Sequence, residues 1–327
     1  MAKRDPIEEA LERLSAVKAA PMDALLISEV RAFLLHRSNL LIAKAAKLAG
    51  RRRLADVRAD LVGAFLRLMA DAPRLDKRCA ALTEIATAVY DLDYLEADVY
   101  RQGLRHVQME PSFGEPVDAA AQLRGICAMG IARSRDPEAI AAVVELLVDP
   151  EPPARIGAVR ALATNGGDTG LVALHLKVLT GDRVPEVLAE CFSGLLGDPT
   201  ESAVAFVARY IDSDDPEVAE AAILALGAAR SAKAVETLKE KWERTPSGPI
   251  KKVLLLALAA SRNENALQFL VGLIESASVE TAAELVNALA EQRPSDSIRG
   301  EIRTAVERRA DIRLASVYAR TFPAPFS

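Results

Sequence analysis

Hydrophobic positions recur along this chain with the spacing of buried helix faces. In the stretch SDDPEVAEAAILALGAAR, residues 213–230, an Asp-Pro turn precedes Val218, Ala222 and Leu226, which follow one another at steps of four residues. Residues at that spacing share one side of a helix. An aspartate in the turn can accept hydrogen bonds from the free amides of the first helical turn. The pattern predicts a helix that begins at this turn and buries one face.

The same pattern repeats every 31 to 33 residues. Each copy has a Leu or Met directly after a small residue. These anchors are Met129, Leu162, Leu195, Leu226, Leu258 and Leu289. An interval of this length fits two helices joined by short turns, and Leu48 and Ile85 mark two less regular copies nearer the N-terminus. The spacing therefore predicts about eight stacked helix pairs.

These repeats resemble a known family. An Asp/Pro turn, a β-branched residue, an alanine four positions later and then Ala-Leu resemble HEAT repeats, particularly the short variety related to phycobilisome-lyase repeats. The resemblance covers residues 117–293. It implies an all-α fold, a right-handed α-α superhelix whose second helices line a concave face.

The family often carries an Asp in the turn and an Arg or Lys six residues later, which form a ladder between neighbouring repeats. Asp149 and Arg155 match this spacing, whereas Asp182 is followed by Leu188. We therefore expect the ladder to be largely lost and the stacking to depend on apolar burial.

The regularity of the repeats divides the chain into three parts of one continuous solenoid. Residues 1–116 are predicted to hold a leading helix over Pro6–Ala19 and irregular repeats, residues 117–293 the regular repeats, and residues 294–327 capping helices and a loosely packed tail. The Pro- and Gly-containing segment QMEPSFGEPVD, residues 108–118, is expected to be a loop inserted between repeats. Strands are not expected.

Composition supports this interpretation. Alanine is abundant and aromatic residues make up 4% of the chain, which favours closely packed helices. The three cysteines are far apart, which argues against a disulfide framework. The longest apolar run, Val253–Ala260, is too short to cross a membrane. We expect a cytoplasmic protein with no membrane span.

The second helices supply the first candidate binding surface. Counting back from each anchor gives positions that should face the concave side and accept an apolar helix or extended peptide of another protein. The predicted partner-binding residues are Leu123, Ile156, Arg160, Glu220, Leu224, Lys252 and Leu256. Burial of this row by strong curvature is the alternative.

Charge supplies the second candidate. Residues 31–78 contain twelve Lys and Arg and four Asp, although the whole chain has a net charge of −5. The residues singled out there are Lys44, Lys47, Arg51, Arg52, Arg53 and Arg58. Such a basic patch suits nucleic acid or an acidic protein, and the alternative is a solvated face or a contact with the acidic remainder.

Catalytic and cofactor motifs do not emerge from the sequence. The three histidines lie in different repeats, no cysteines have metal-ligand spacing, and Trp242 on an amphipathic helix is expected to pack. We therefore expect no enzyme activity, metal or cofactor. The leading hypothesis is a non-enzymatic protein-binding scaffold, and the alternative is a nucleic-acid-binding or polyanion-binding protein. A chromophore-handling lyase follows only from the family resemblance, and no residue motif supports it.

Overall fold

The computed structural model describes residues 12–13, 24–134, 136, 138–246 and 248–323, and it is built almost entirely of α-helices. These residues form nineteen α-helices, three single-turn 3-10 helices and one two-stranded sheet. The predicted all-α class is therefore confirmed. The chain divides into two compact units, unit 1 up to Lys177 and unit 2 from Val178.

Unit 1 contains four helix pairs in two layers. Its helices are α1 Ala24–Leu34, α2 Asn39–Arg51, α3 Arg58–Met69, α4 Ala72–Leu75, α5 Ala80–Asp91, α6 Ala97–Leu104, α7 Ala121–Arg133, α8 Ala139–Glu145, α9 Pro152–Asn165 and α10 Gly167–Thr180, which runs past the unit boundary. The 3-10 helices are Ala55–Val57, Lys77–Cys79 and Leu146–Val148. The second helices α2, α5, α7 and α9 pack in succession, as do the first helices α1, α3 and α6.

Unit 2 repeats the same two-layer arrangement. Its helices are α11 Pro185–Leu195, α12 Glu201–Ala208, α13 Pro216–Ala228, α14 Ala232–Arg244, α15 Pro249–Ala260, α16 Glu264–Ser276, α17 Val279–Glu291, α18 Asp296–Arg309 and α19 Ile312–Thr321. Helices α11, α13, α15, α17 and α19 pack in succession in the second-helix layer, and α12, α14, α16 and α18 form the first-helix layer.

The predicted anchors explain why the pairs stack. All eight lie in second helices, seven are buried, and Met129 is half-buried. The start of α13 also follows the predicted capping, because Asp215 Oδ1 accepts hydrogen bonds from the backbone N–H of Glu217 at 2.9 Å and of Val218 at 3.5 Å. Helices α18 and α19 add a further pair after the last anchor, and α19 packs on α17.

Glycines set the closest helix approaches. A Cβ at Gly157 of α9 would lie 2.2 Å from the Cα of Gly125 of α7, and a Cβ at Gly227 of α13 would lie 2.5 Å from the carbonyl oxygen of Ala257. No larger residue fits at such separations. Gly227 therefore belongs to the α13–α15 packing surface.

The loop predicted between repeats is a short β-hairpin. Strands β1 Met109–Glu110 and β2 Val117–Asp118 pair antiparallel, with Met109 opposite Asp118. The hairpin connects α6 to α7, which are the two helices of one pair, so the expectation of a strand-free insertion between repeats is wrong. Buried Gln108 holds its base, because its side chain donates to the Asp76 carbonyl at 2.9 Å and its backbone N–H donates to Asp118 Oδ1 at 3.0 Å.

A buried ion cluster joins two helix pairs of unit 1. The Arg124 guanidinium of α7 donates to Asp118 Oδ2 at 2.6 Å and to both carboxylate oxygens of Asp149 at 2.8 and 2.9 Å. The Asp149 carboxylate thus bonds to Arg124 of the preceding pair, whereas Arg155 Nη1 donates to the backbone carbonyls of Asp149 and Pro150. Asp118 and Arg124 have the same six-residue spacing that the sequence prediction overlooked. The prediction that the ladder is largely lost is therefore wrong in this part of unit 1.

The ends of the chain are only partly described. The predicted leading helix over Pro6–Ala19 lies outside the described residues except for Glu12 and Arg13, which are helical; the Arg13 guanidinium bonds to Glu29 of α1 at 2.6 Å. Phe322 at the start of the tail is buried and lies 5.1 Å from the Tyr318 ring, measured between ring centroids. The tail is therefore packed at least to this point. The last four residues lie outside the described part.

Candidate functional site: the second-helix face of unit 2

Four predicted binding residues lie on the exposed side of neighbouring second helices in unit 2. Glu220 and Leu224 lie on α13, and Lys252 and Leu256 lie on α15; all four are exposed. Leu224 is 41% exposed and Leu256 47% exposed, so both side chains are accessible to a partner. We call the exposed side of α11, α13, α15 and α17 the second-helix face of unit 2.

The repeat itself places the two leucines in register. Leu224 and Leu256 each stand two positions before an anchor, Leu226 or Leu258, and both anchors are fully buried. Residues two positions apart in an α-helix lie on nearly opposite sides. Because the anchors face the core, Leu224 and Leu256 face outward. Because α13 and α15 pack closely at Gly227 and Ala257, the two exposed leucines lie on adjacent helices.

A cleft opens beside Leu256, between α15 and α17. It has a volume of about 270 Å³, and it is lined by Lys252, Leu255, Leu256, Glu284, Asn287, Ala288 and Glu291. Lys252 Nζ forms an ion pair of 2.6 Å with Glu284 Oε1 across the cleft. The cleft therefore combines an apolar floor with charged rims, a composition common in ligand and peptide sites.

The sequence prediction missed Glu284. Positions were counted back from each anchor by the same offset, but Lys252 lies six positions before Leu258, whereas Glu284 lies five before Leu289. Glu284 stands 32 residues after Lys252, which is one repeat. A search for opposite charges one repeat apart could have found this pair.

A second cleft of about 220 Å³ lies near the starts of α15 and α17. Trp242 contributes to its lining but is only 5% exposed, and Lys251 Nζ lies 4.7 Å from the centre of its ring. Lys251 also donates to the Thr245 carbonyl at 3.0 Å. Trp242 is therefore chiefly a packing residue, as predicted.

The predicted positions in unit 1 do not form an equivalent face. Leu123 is 0% exposed, so its assignment to a binding surface is wrong. If Gly103 of α6 carried a Cβ, that atom would lie 3.4 Å from Leu123 Cδ1. Leu123 therefore packs against α6. Ile156 is half-buried and Arg160 is exposed on α9.

Acidic residues of α5 lie next to the basic residues of α2. Lys44, Lys47 and Arg51 are exposed on α2, but Lys47 Nζ forms an ion pair of 2.7 Å with Glu84 Oε1. If Gly50 of α2 carried a Cβ, that atom would lie 3.2 Å from Asp91 Oδ2. A second carboxylate of α5 therefore lies next to α2. The positive charge counted along the sequence is therefore partly neutralised in space.

The other predicted basic residues, Arg52, Arg53 and Arg58, follow α2. Arg52 is half-buried, and Arg53 has a φ of 50° in the left-handed region after the helix end. Arg58 Nη2 donates to the Leu92 carbonyl at 2.6 Å. The pKa of Asp93 is lowered chiefly by a hydrogen bond from Arg133, and the charges of Arg53 and Arg58 add to this effect. The nucleic-acid or acidic-protein hypothesis therefore rests mainly on Lys44, Arg51 and Arg53, which are exposed.

The nucleophilic and metal-binding side chains are scattered or buried. Cys79, Cys127 and Cys191 are free and buried, and burial is the main reason that the pKa of Cys79 is raised to about 12. His36 Nδ1 accepts from the Ser38 backbone N–H at 2.9 Å, and His106 Nε2 lies 3.1 Å from Gln108 Oε1. Within the described residues, no three His, Cys, Asp or Glu side chains are grouped as metal ligands.

None of the helices that the structure describes has the length and apolar character needed to cross a membrane.

Comparison with known proteins identifies the repeats. Residues 172–259 match the family model described as HEAT repeats, and this range includes α11–α14 and most of α15. This part of the chain therefore consists of HEAT repeats. No curated protein sequence matches this chain.

Two solved structures are similar to this chain, each at 17% sequence identity. Human deoxyhypusine hydroxylase in complex with glycerol aligns over 79% of this chain and 91% of its own, with a TM-score of 0.31. An engineered protein aligns over 99% of this chain and 97% of its own, with a TM-score of 0.40.

Proposed function

We propose that this HEAT-repeat protein is a non-enzymatic scaffold that binds another protein through the second-helix face of unit 2. The observation that carries the proposal is the pair of exposed leucines, Leu224 and Leu256, on adjacent helices beside an open cleft. Exposed apolar residues that are contiguous and bordered by charges are typical of protein interaction sites. HEAT repeats generally form helical scaffolds that mediate interactions.

The chemistry of the described residues supports a binding role over a catalytic one. A nucleophile needs an accessible, activated side chain next to a base. The cysteines are buried, and the raised pKa of Cys79 keeps that thiol protonated at neutral pH. The cleft beside Leu256 contains one lysine and two glutamates but no histidine, cysteine or serine. These groups suit recognition of a partner by charge and shape.

A capture experiment tests the proposed face. Protein partners are isolated with the wild type and with the double variant Leu224→Glu/Leu256→Glu. We expect the variant to lose specific partners at least tenfold, because two charges would be desolvated in the interface. Circular dichroism and the thermal midpoint check that the variant is folded.

Leu66→Glu provides the matched control, since Leu66 is 44% exposed on α3 of unit 1. This variant should retain the partners that the double variant loses. Equal capture by the wild type and a folded double variant would refute the proposal.

A further inference from the structure

The second-helix face of unit 2 is predominantly acidic. Helices α11, α13, α15 and α17 contain seven glutamates and two lysines, and no arginine. Of the two lysines, Lys251 is turned towards Trp242 and the Thr245 carbonyl, so that Lys252 is the cation on the exposed side. This imbalance gives the face a negative potential that favours a basic partner.

The charges include one ion pair and two carboxylates that are open to a ligand. Lys252 is paired with Glu284, and both side chains are largely accessible to water. Glu220 and Glu291 make no hydrogen bond or ion pair with the described residues, and both are exposed. Because an exposed ion pair contributes little to stability, a cation of the partner can replace Lys252 on Glu284.

The apolar residues add a spacing requirement. Leu224 and Leu256 occupy equivalent positions on packed neighbouring helices, whose axes are typically about 8–10 Å apart. In an α-helix, residues seven positions apart are separated by about 10.5 Å along the axis. A partner helix that crosses α13 and α15 with apolar residues every seven positions can therefore contact both leucines. Its next apolar residue reaches the cleft between α15 and α17.

We propose that the segment bound by this face is a cationic amphipathic helix, whose apolar side contacts Leu224, Leu256 and the cleft while its lysines or arginines bind Glu220, Glu284 and Glu291. This inference rests on the proposed function, because it specifies the partner of the same surface. It assigns opposite effects to the two members of the ion pair. Glu284 attracts the partner, and Lys252 competes with it.

Synthetic peptides test this chemistry directly. The probe is a labelled 21-residue helix of leucine and lysine with leucines on one side, and its control replaces every lysine with glutamate. Binding to the full chain is followed by fluorescence anisotropy at low and physiological salt. We expect the lysine peptide to bind at least tenfold more tightly than the glutamate peptide, and this preference should weaken as salt rises.

Single substitutions then separate a specific site from general attraction to an acidic protein. Glu284→Gln should weaken binding of the lysine peptide at least threefold, whereas Lys252→Gln should tighten it at least threefold. Leu224→Ser/Leu256→Ser should also weaken it. Glu307→Gln is the matched control, because Glu307 is an exposed carboxylate on α18 in the other layer, and it should change binding by less than twofold.

The outcomes distinguish this inference from the proposed function. No preference for the lysine peptide, or weaker binding by Lys252→Gln, would overturn the cationic-helix inference. If the cationic-helix inference fails but Leu224→Glu/Leu256→Glu still loses its captured proteins, the proposed binding face stands. Only the chemistry assigned to the partner is then wrong. If neither experiment responds to these residues, both proposals fail.

Discussion

Arg124 illustrates how a single buried side chain joins two helix pairs. It contacts Asp118 at the end of the β-hairpin and Asp149 before α9, and its Nη1 also donates to the His106 carbonyl at 2.9 Å. Burial raises the pKa of Asp118, but hydrogen bonds from the Gln108 and Ala120 backbone N–H groups and from Arg124 outweigh it and leave the pKa below its ordinary value. The ionised form of Asp118 therefore stabilises the folded chain.

Replacing Arg124 with methionine tests this cluster through its pH dependence. At pH 7 the variant should be about 3–5 kcal/mol less stable, because two buried carboxylates lose their cation. Stabilisation from a carboxylate with a lowered pKa is present above its ordinary pKa of 3.8 and is lost as the pH falls through the lower folded-state value. In the variant, Asp118 lacks the guanidinium that lowers its pKa, so its protonation at lower pH removes an unpaired charge. The deficit should therefore shrink between pH 7 and pH 4, as measured by urea unfolding.

The matched control for that comparison is Arg303→Met. Arg303 lies on α18 with an exposed side chain and an ion pair of 3.7 Å to Glu307, so its removal should cost less than about 1 kcal/mol at either pH. A deficit of the Arg124 variant that does not change with pH would contradict the assignment of charged carboxylates to the cluster.

At the scale of elements, small residues determine how closely the second helices pack. Gly125 and Gly157 bring α7 and α9 together, and Gly227 performs the same role between α13 and α15. The helix pairs themselves were predictable, because every pair must bury one periodic apolar stripe. The close contacts between helices were not predictable, because a glycine allows a close approach only where another helix packs directly against it, and that helix belongs to a neighbouring repeat.

Alanine substitutions separate packing glycines from exposed ones. Gly157→Ala should lower the free energy of unfolding by about 1–3 kcal/mol or more, since its Cβ would collide with the backbone of α7. Gly300→Ala on α18 meets no atom within 4 Å and should stabilise the chain by about 0.5–1 kcal/mol, because alanine favours the helix. Thermal and urea unfolding of both variants provide the measurement. A neutral Gly157→Ala would contradict the close approach.

The β-hairpin and Leu123 show why local sequence patterns were insufficient to predict the structure. The strands of the β-hairpin contain two residues each, too few for a period of two to be recognised, and they are fixed by distant groups such as the Asp76 carbonyl. Leu123 follows the same offset rule as Glu220, yet it is buried against α6 because Gly103 leaves room there. In both cases the deciding partner comes from another helix or turn.

For the whole molecule, the distribution of charge depends on which helices pack together, and the order of residues along the sequence does not show it. The basic stretch of residues 31–78 suggested a polyanion site, but Glu84 and Asp91 of α5 lie beside α2 once the pairs stack. In unit 2, by contrast, α11, α13, α15 and α17 each carry few positive residues, and stacking gathers their glutamates beside exposed leucines. This combination of acidic and apolar residues supports our proposal that the second-helix face of unit 2 binds a partner.

The most direct test of this central claim is site-specific photo-crosslinking. A photoreactive phenylalanine analogue is placed at Leu256 or, as a comparison, at Leu66, and the folded protein is irradiated in the presence of its cellular partners. If this face binds the partner, position 256 should give a discrete crosslinked adduct that is absent from position 66 and disappears when Leu224→Glu is added. Adducts from position 66 with none from position 256 would contradict it.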